Sequence, residues 1–184
     1  MKILSEKITP PVVSVVGNSG TGKTTFLEKI IREMTYRGLK VGTIKHDIHG
    51  RFEMDKPGKD SWRHKHAGAS TTVISSPNRI GVVMDVEYDH SLDELVSFFN
   101  DMDVILTEGY KQDRKPKLEI FRPEISQEPL CKNNENLLAF ISDAPMDFNV
   151  PVFSPEDIKG AVDFLVAHFN LIPSVTKDHK KAAT

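Results

Sequence analysis

The stretch Val12-Val13-Ser14-Val15-Val16-Gly17-Asn18-Ser19-Gly20-Thr21-Gly22-Lys23-Thr24-Thr25-Phe26 decides how the rest of the chain is read. Its first five residues are dense in β-branched side chains and end at a glycine, the pattern of a buried parallel strand. From Lys23 or Thr24 onward Phe26, Leu27, Ile30, Ile31 and Met34 recur at helical spacing, and Gly38 stands where a C-terminal cap belongs. Between strand and helix, Gly17 to Thr24 fits G-x-x-x-x-G-K-[ST] in full. Glycines let such a loop bend and present several N–H groups to phosphate oxygens without Cβ clashes. The helix N-terminus adds unpaired donors and partial positive charge. Gly17, Asn18, Ser19, Gly20, Thr21 and Gly22 are therefore the expected cradle of a nucleoside triphosphate. Lys23 is expected to neutralise its β- and γ-phosphates, Thr24 to ligate Mg²⁺ and Thr25 to sit near the α-phosphate.

Downstream, strands and helices alternate. Strands are predicted over residues 40–45, 71–75, 80–84, 103–107, 117–121, 137–141 and 151–153. Helices are predicted over 58–69, 91–99 and 155–169, the last capped by Ser154. Residues 46–58 read as a polar loop, and 173–184 as a disordered tail. This order predicts a three-layer α/β fold of the P-loop NTPase type with a mostly parallel central sheet, in one nucleotide-binding domain spanning 1–172.

Composition narrows the partners. The chain has 184 residues, 39% hydrophobic and 27% charged, and a formal net charge of −2. Near balance gives no general attraction to nucleic acid or an anionic membrane, so anion binding must be local. A single cysteine, Cys131, excludes an intrachain disulfide framework and a cysteine-cluster metal site. It reads as a small apolar residue or a surface thiol. No apolar run approaches the roughly 20 residues of a membrane helix, and the N-terminus lacks a signal-peptide core, so a cytoplasmic location is expected.

A triphosphate site needs a carboxylate for Mg²⁺, usually at the C-terminal end of a neighbouring strand. Glu108 and Asp47 both follow predicted strands in that manner, each alternatively a solvated loop acid. Asp60 either joins the metal site or caps its own helix. Asp103 precedes its strand and belongs at the opposite edge of the sheet. Lys45, His46, Lys59, Arg63, His64 and Lys65 form either a basic face for a phosphorylated partner or an inert solvated one.

Beyond the loop, the run Asp55-Lys56-Pro57-Gly58-Lys59-Asp60-Ser61 followed by Ala67-Gly68-Ala69 resembles the MobB family of molybdopterin-guanine dinucleotide biosynthesis adaptors. The pair Lys45-His46, the stretch Thr107-Glu108-Gly109-Tyr110-Lys111, Pro116-Lys117 and Ile141-Ser142-Asp143-Ala144-Pro145 fall in the family's order, so the likeness spans roughly 11–170. The resemblance implies a homodimer that binds GTP, hydrolyses it weakly at most through Lys23 and Glu108, and assists a MobA-type guanylyltransferase, with molybdopterin itself a further candidate ligand. It also places Asp143 where related GTP binders read the guanine N1–H and 2-amino group, although N-K-x-D is missing there. Two other classes use the same loop. A small-molecule kinase would need a lid, for which Arg114 and Lys115 are the candidates. A metal-delivering GTPase would need a Cys- or His-rich motif.

Overall fold

Alternation along the first strand sorts its side chains between two faces. In the computed structural model, which describes residues 9–50 and 52–173, β1 (Val12–Val16) is buried at every position. Val13 and Val15 point into the larger core with Phe26, Leu27, Ile30 and Met34 of α1 (Lys23–Tyr36) and Ala161, Val162 and Leu165 of α4 (Ile158–Phe169). Val12 turns the other way, against Leu92 of the short helix α3 (Leu92–Leu95). Helices on both faces give the three layers expected of a β–α alternation.

The described residues fall into two compact units, 9–46 with 92–173 and Asp47–Ser91. In the first, β2 (Val41–Lys45), β5 (Val104–Glu108), β6 (Lys117–Ile120), β7 (Leu137–Ile141) and β8 (Val152–Phe153) join β1 in the order β2-β5-β1-β6-β7-β8. Every neighbouring pair is parallel. β1 lies between two strands distant in sequence, with Ser14 opposite Thr107 on one side and Lys117 on the other. The Thr107 hydroxyl donates to Ser14 Oγ at 3.0 Å, so both buried hydroxyls are served. The second unit holds α2 (Asp60–His66) and the antiparallel hairpin of β3 (Thr71–Ser76) and β4 (Arg79–Met84).

Helix ends explain where the sequence expectations shift. Gly38, at φ +83°, closes α1 as foreseen, with Leu39 N–H donating to the Met34 carbonyl and Gly38 N–H to that of Thr35. Ser154 does not cap α4. The helix begins at Ile158, and its cap is Asp157, whose carboxylate accepts from Gly160 N–H at 3.0 Å. The expected helix over 91–99 is one α-turn followed by a 3₁₀ turn at Val96–Phe98, and the expected 58–69 helix contracts to α2. The tail from 174 onward lies outside the described residues.

β6 carries two charged side chains into the interior. Leu118 and Ile120 join the α1–α4 core, which sends Lys117 and Glu119 to the opposite face. Lys117 is fully buried, and its ammonium donates to the carbonyls of Asp113 and Lys115. Burial lowers its pKa from the usual lysine value, against the opposing pull of Cys131 and Asp113. Glu119 accepts from Leu130 N–H at 2.6 Å and Cys131 N–H at 2.7 Å, tying the segment after β6 to the sheet. Burial raises the Glu119 pKa while those two bonds oppose the rise. The neighbouring Cys131 thiol is pushed up to about 11, first by burial and then by the Glu119 charge. Glu119→Ala would strip both N–H groups of their acceptor, a loss of about 2–4 kcal/mol. In the native protein Cys131 should react with a thiol reagent at neutral pH far more slowly than free cysteine, and Glu119→Ala should speed it; wild-type reactivity equal to free cysteine would contradict the burial of this cluster.

Candidate functional site

Strand β1 runs out at Val16, and the backbone must turn at once into α1. Three glycines in the left-handed half of φ make that turn, Gly17 at +146°, Gly20 at +81° and Gly22 at +94°. Gly17 is further constrained by packing, since a Cβ there would lie 2.5 Å from the Ile120 carbonyl oxygen. Inside the loop, Thr21 is buried, and its hydroxyl donates to the Asn18 carbonyl at 2.9 Å. Gly22 occupies the N-cap of α1 with no side-chain cap bond, so the first-turn N–H groups face the loop uncapped by any side chain.

Lys23 folds back over this loop. Its ammonium donates to the Gly17 carbonyl at 3.1 Å and to that of Asn18 at 2.8 Å, which holds the charge at the mouth of the loop. Burial lowers the Lys23 pKa from the usual lysine value; Glu108 opposes the shift, and Lys111 and Lys45 add to it. Next along the helix, Thr24 Oγ1 donates to both carboxylate oxygens of Glu108, at 3.0 and 3.1 Å. Glu108 is the last residue of β5, and the parallel register sets it beside Val15 of β1 and Lys45 of β2. The sheet therefore carries one carboxylate to the hydroxyl and ammonium of a helix that begins 85 residues earlier.

A hydroxyl and a carboxylate side by side make a hard oxygen donor set, the kind Mg²⁺ takes together with phosphate oxygens. The residues present thus fit the metal that the loop chemistry implies.

Behind Glu108 the chain makes a sharp turn. Gly109 has φ +105° and Tyr110 has φ +50°, the latter unusual for a residue with a side chain. The Tyr110 ring stacks on His46 with centroids 4.4 Å apart, and His46 N–H donates to the Glu108 carbonyl at 3.0 Å. The end of β2 thereby clamps the turn that aims Glu108. The sequence marks both residues only as parts of a motif; their contact across two strand ends has no signature in spacing.

On the other side of β1, Asp143 follows β7 as expected and is exposed. Ser154 Oγ donates to its Oδ1 at 2.7 Å, joining the loops after β7 and β8. Thr25 is exposed in the first turn of α1. Asp47 and Asp60 belong to the second unit. There Asp47 Oδ1 accepts from His49 N–H at 3.2 Å, and Asp60 stands in the first turn of α2, 3.8 Å from the Arg63 guanidinium. Part of the expected basic face is engaged locally, with Lys65 paired to Asp85 at 2.6 Å and Arg63 3.8 Å from Asp60.

Sequence reasoning missed Arg122, at the exit of β6. Its Nε donates to the Thr21 carbonyl of the phosphate loop at 2.9 Å.

The chain is similar to known proteins in sequence and fold. The sequence model of the family described as MobB, molybdopterin guanine dinucleotide synthesis protein B, matches residues 12–143. A molybdopterin-guanine dinucleotide biosynthesis adapter protein of Haemophilus influenzae is 36% identical over 157 residues, covering 84% of this chain and 87% of that protein. Its namesake in Escherichia coli is 33% identical, covering 89% and 95%. Among solved structures, Bacillus subtilis MobB superposes with a TM-score of 0.69 at 30% identity, covering 85% of this chain and 96% of that one. A MobB homolog from Bacillus stearothermophilus gives 0.66 at 27%, covering 86% and 97%.

The lowered Lys23 pKa sets a pH dependence for anion binding. If the protonated ammonium is the anion's partner, affinity is complete below the pKa of the free protein and falls as pH rises through it. Because burial lowers that pKa, pyrophosphate affinity measured by calorimetry should decline at a pH below the ordinary lysine range. Affinity that stays flat up to that range would count against Lys23 as the anion's partner.

Proposed function

The chain belongs to the MobB family, and on that premise we propose that it is a GTP-binding adaptor in molybdopterin-guanine dinucleotide biosynthesis that assists a MobA-type guanylyltransferase. The observation that carries the nucleotide reading is the convergence of Lys23, Thr24 and Glu108 at the mouth of the Gly17–Thr24 loop. The loop N–H groups and the N-terminus of α1 take the phosphates, and Lys23 leaves its two carbonyl partners to neutralise the β- and γ-oxygens. Thr25, one residue further along α1, is suited to the α-phosphate.

Thr24 and Glu108 would hold Mg²⁺, directly through the hydroxyl and directly or through water for the carboxylate. Bound there, the ion would screen the negative charge of the β- and γ-phosphates. The hydrogen bond already made between Thr24 and Glu108 keeps both oxygen donors on one side of the loop. Asp143, with Oδ1 engaged by Ser154, would read guanine through hydrogen bonds to its N1–H and 2-amino group.

Slow turnover fits this site. Hydrolysis needs a group that orients water and a cation that meets the transition-state charge. The phosphate end offers Lys23 and Glu108, and both are already bonded to the loop or to Thr24. The kinase alternative loses support because Lys115, half of its candidate lid, is ion-paired with Asp93.

For the homodimer, support comes from the second unit. Val73, Ile80, Val82 and Met84 are 58%, 73%, 48% and 45% exposed on a two-stranded ribbon. Such a ribbon gains stability when a further layer covers its apolar residues. A second copy of the chain is the covering layer proposed here. Among the described residues no helix is long and apolar enough to cross a membrane; a cytoplasmic site of action is part of the proposal.

Lys23→Ala should abolish GTP binding while leaving the far-UV circular dichroism and the unfolding midpoint unchanged, because the side chain serves the loop and not the core. Unaltered GTP affinity in this variant would show that the phosphates bind elsewhere. Glu108→Gln should weaken GTP binding about tenfold or more with Mg²⁺ present and much less in EDTA, the loss of one charged metal partner. Equal losses under both conditions would remove Glu108 from the metal's surroundings. Calorimetry of GTP against ATP, repeated with the guanylyltransferase, tests the adaptor role; equal affinity for the two nucleotides, with and without that partner, would overturn the guanine assignment.

A further inference from the structure

The loop that follows β6 lies along the flank of the phosphate loop. It is a tight turn, closed by Ile125 N–H to the Arg122 carbonyl at 3.0 Å and by Ser126 N–H to the same oxygen at 3.2 Å. Two of its side chains reach the phosphate loop. Ile125 approaches Gly20, where a Cβ would come within 3.9 Å of its Cδ1, and Arg122 Nη2 would lie 3.6 Å from a Cβ on Gly22. Arg122 Nε is fixed to the Thr21 carbonyl at 2.9 Å. Among the described residues no carboxylate pairs with this guanidinium, and the residue is exposed. A planar cation is thus anchored through Nε, with no carboxylate among the described residues on its terminal nitrogens.

Position decides what that cation can meet. The Thr21–Gly22 peptide is trans, so a carbonyl that points outward to Arg122 turns the Gly22 N–H inward. Phosphate oxygens belong on the inner side, with the N–H groups, and Arg122 stands on the outer wall. The two flanks of β1 also differ. Thr24 and Glu108 lie on the β5 flank, so on the reading above the metal and the terminal phosphates would sit there. A nucleotide held that way leaves its nucleoside on the β6 flank, where Arg122 stands and where Asp143 follows at the end of the next strand, β7.

We propose that Arg122 is a base-binding residue, its guanidinium plane stacked on the purine ring beside the phosphate loop, with Ile125 as the apolar part of the same wall. This rests on the GTP-binding reading above and adds to it the residue that grips the base face, while Asp143 reads the base edge. Guanidinium groups stack on π-systems through both dispersion and cation–π attraction, which lysine reproduces only in part.

The test uses the full-length protein with Mg²⁺ and two ligands, GTP and inorganic tripolyphosphate, which has no base. Arg122→Met should weaken GTP about 3- to 30-fold, the range of a partly exposed cation–π contact, and leave tripolyphosphate within about twofold. Arg122→Lys, which keeps the charge without the plane, should recover only part of the GTP affinity lost in the methionine variant. An equal loss for GTP and tripolyphosphate would reduce Arg122 to a brace on the Thr21–Gly22 peptide and overturn the stacking. Full GTP affinity in Arg122→Lys would overturn it as well, because charge alone would then suffice, and so would wild-type protein that binds GTP no tighter than tripolyphosphate. Wild-type protein that binds tripolyphosphate but neither GTP nor ATP would instead remove the nucleotide reading on which the stacking rests.

Discussion

Placement of β1 between β5 and β6 is the constraint from which the site follows. Both edges of β1 are filled by parallel partners, so its backbone groups are satisfied and its position in the sheet is fixed. The Ser14–Thr107 hydrogen bond lies inside this contact and would be broken by a one-residue slip of β5. A correct register carries Glu108 level with Val15, two residues short of the loop, within reach of Thr24. On the other edge it brings the Ile120 carbonyl so close to Gly17 that no Cβ fits. The shape of the loop and the meeting of Thr24 with Glu108 are both consequences of how one strand is seated.

Charge is arranged with similar economy. Lys23, Lys45 and Lys111 gather near a single carboxylate, Glu108, so the mouth of the loop carries an excess of positive charge although the whole chain is slightly acidic. The carbonyls of Gly17 and Asn18 keep Lys23 aimed there in the meantime. A polyanion gains from a field that is organised before it arrives, which lowers the reorganisation required for binding. On the opposite face of the sheet, the Lys117, Glu119 and Cys131 group is satisfied almost wholly by backbone atoms. That cluster shapes loops; the one around Lys23 lies at the mouth of the glycine-rich loop.

The features legible in the sequence were those written in local chemistry. The phosphate loop is a contiguous motif between a β-branched run and an amphipathic helix, and Glu108 ends an apolar run just as strand-end ligands do. The parallel sheet followed from alternation alone. Helix ends were less legible, because Ser154 and Asp157 both suit a cap and only the path of Pro155-Glu156 makes Asp157 the one that serves. Arg122 was invisible for a different reason. A lone arginine before a proline resembles any surface residue, and the carbonyl that gives it meaning is 101 positions away. The same holds for the His46–Tyr110 stack, which joins the ends of two strands that only the fold makes neighbours.

The seating of β1 also has a kinetic side. This strand leaves the ribosome before both of its partners, which begin at Val104 and Lys117, and the Thr24–Glu108 contact spans 84 residues. Contacts of such separation require a long chain to be brought together before any stabilisation is returned, which slows folding. Helix α1 can flicker into existence locally, but the nascent chain has no finished cradle until β5 and β6 have been synthesised. During translation the apolar strand Val12–Val16 therefore stays unpaired until β5 and β6 emerge, a window in which a chaperone would have something to hold.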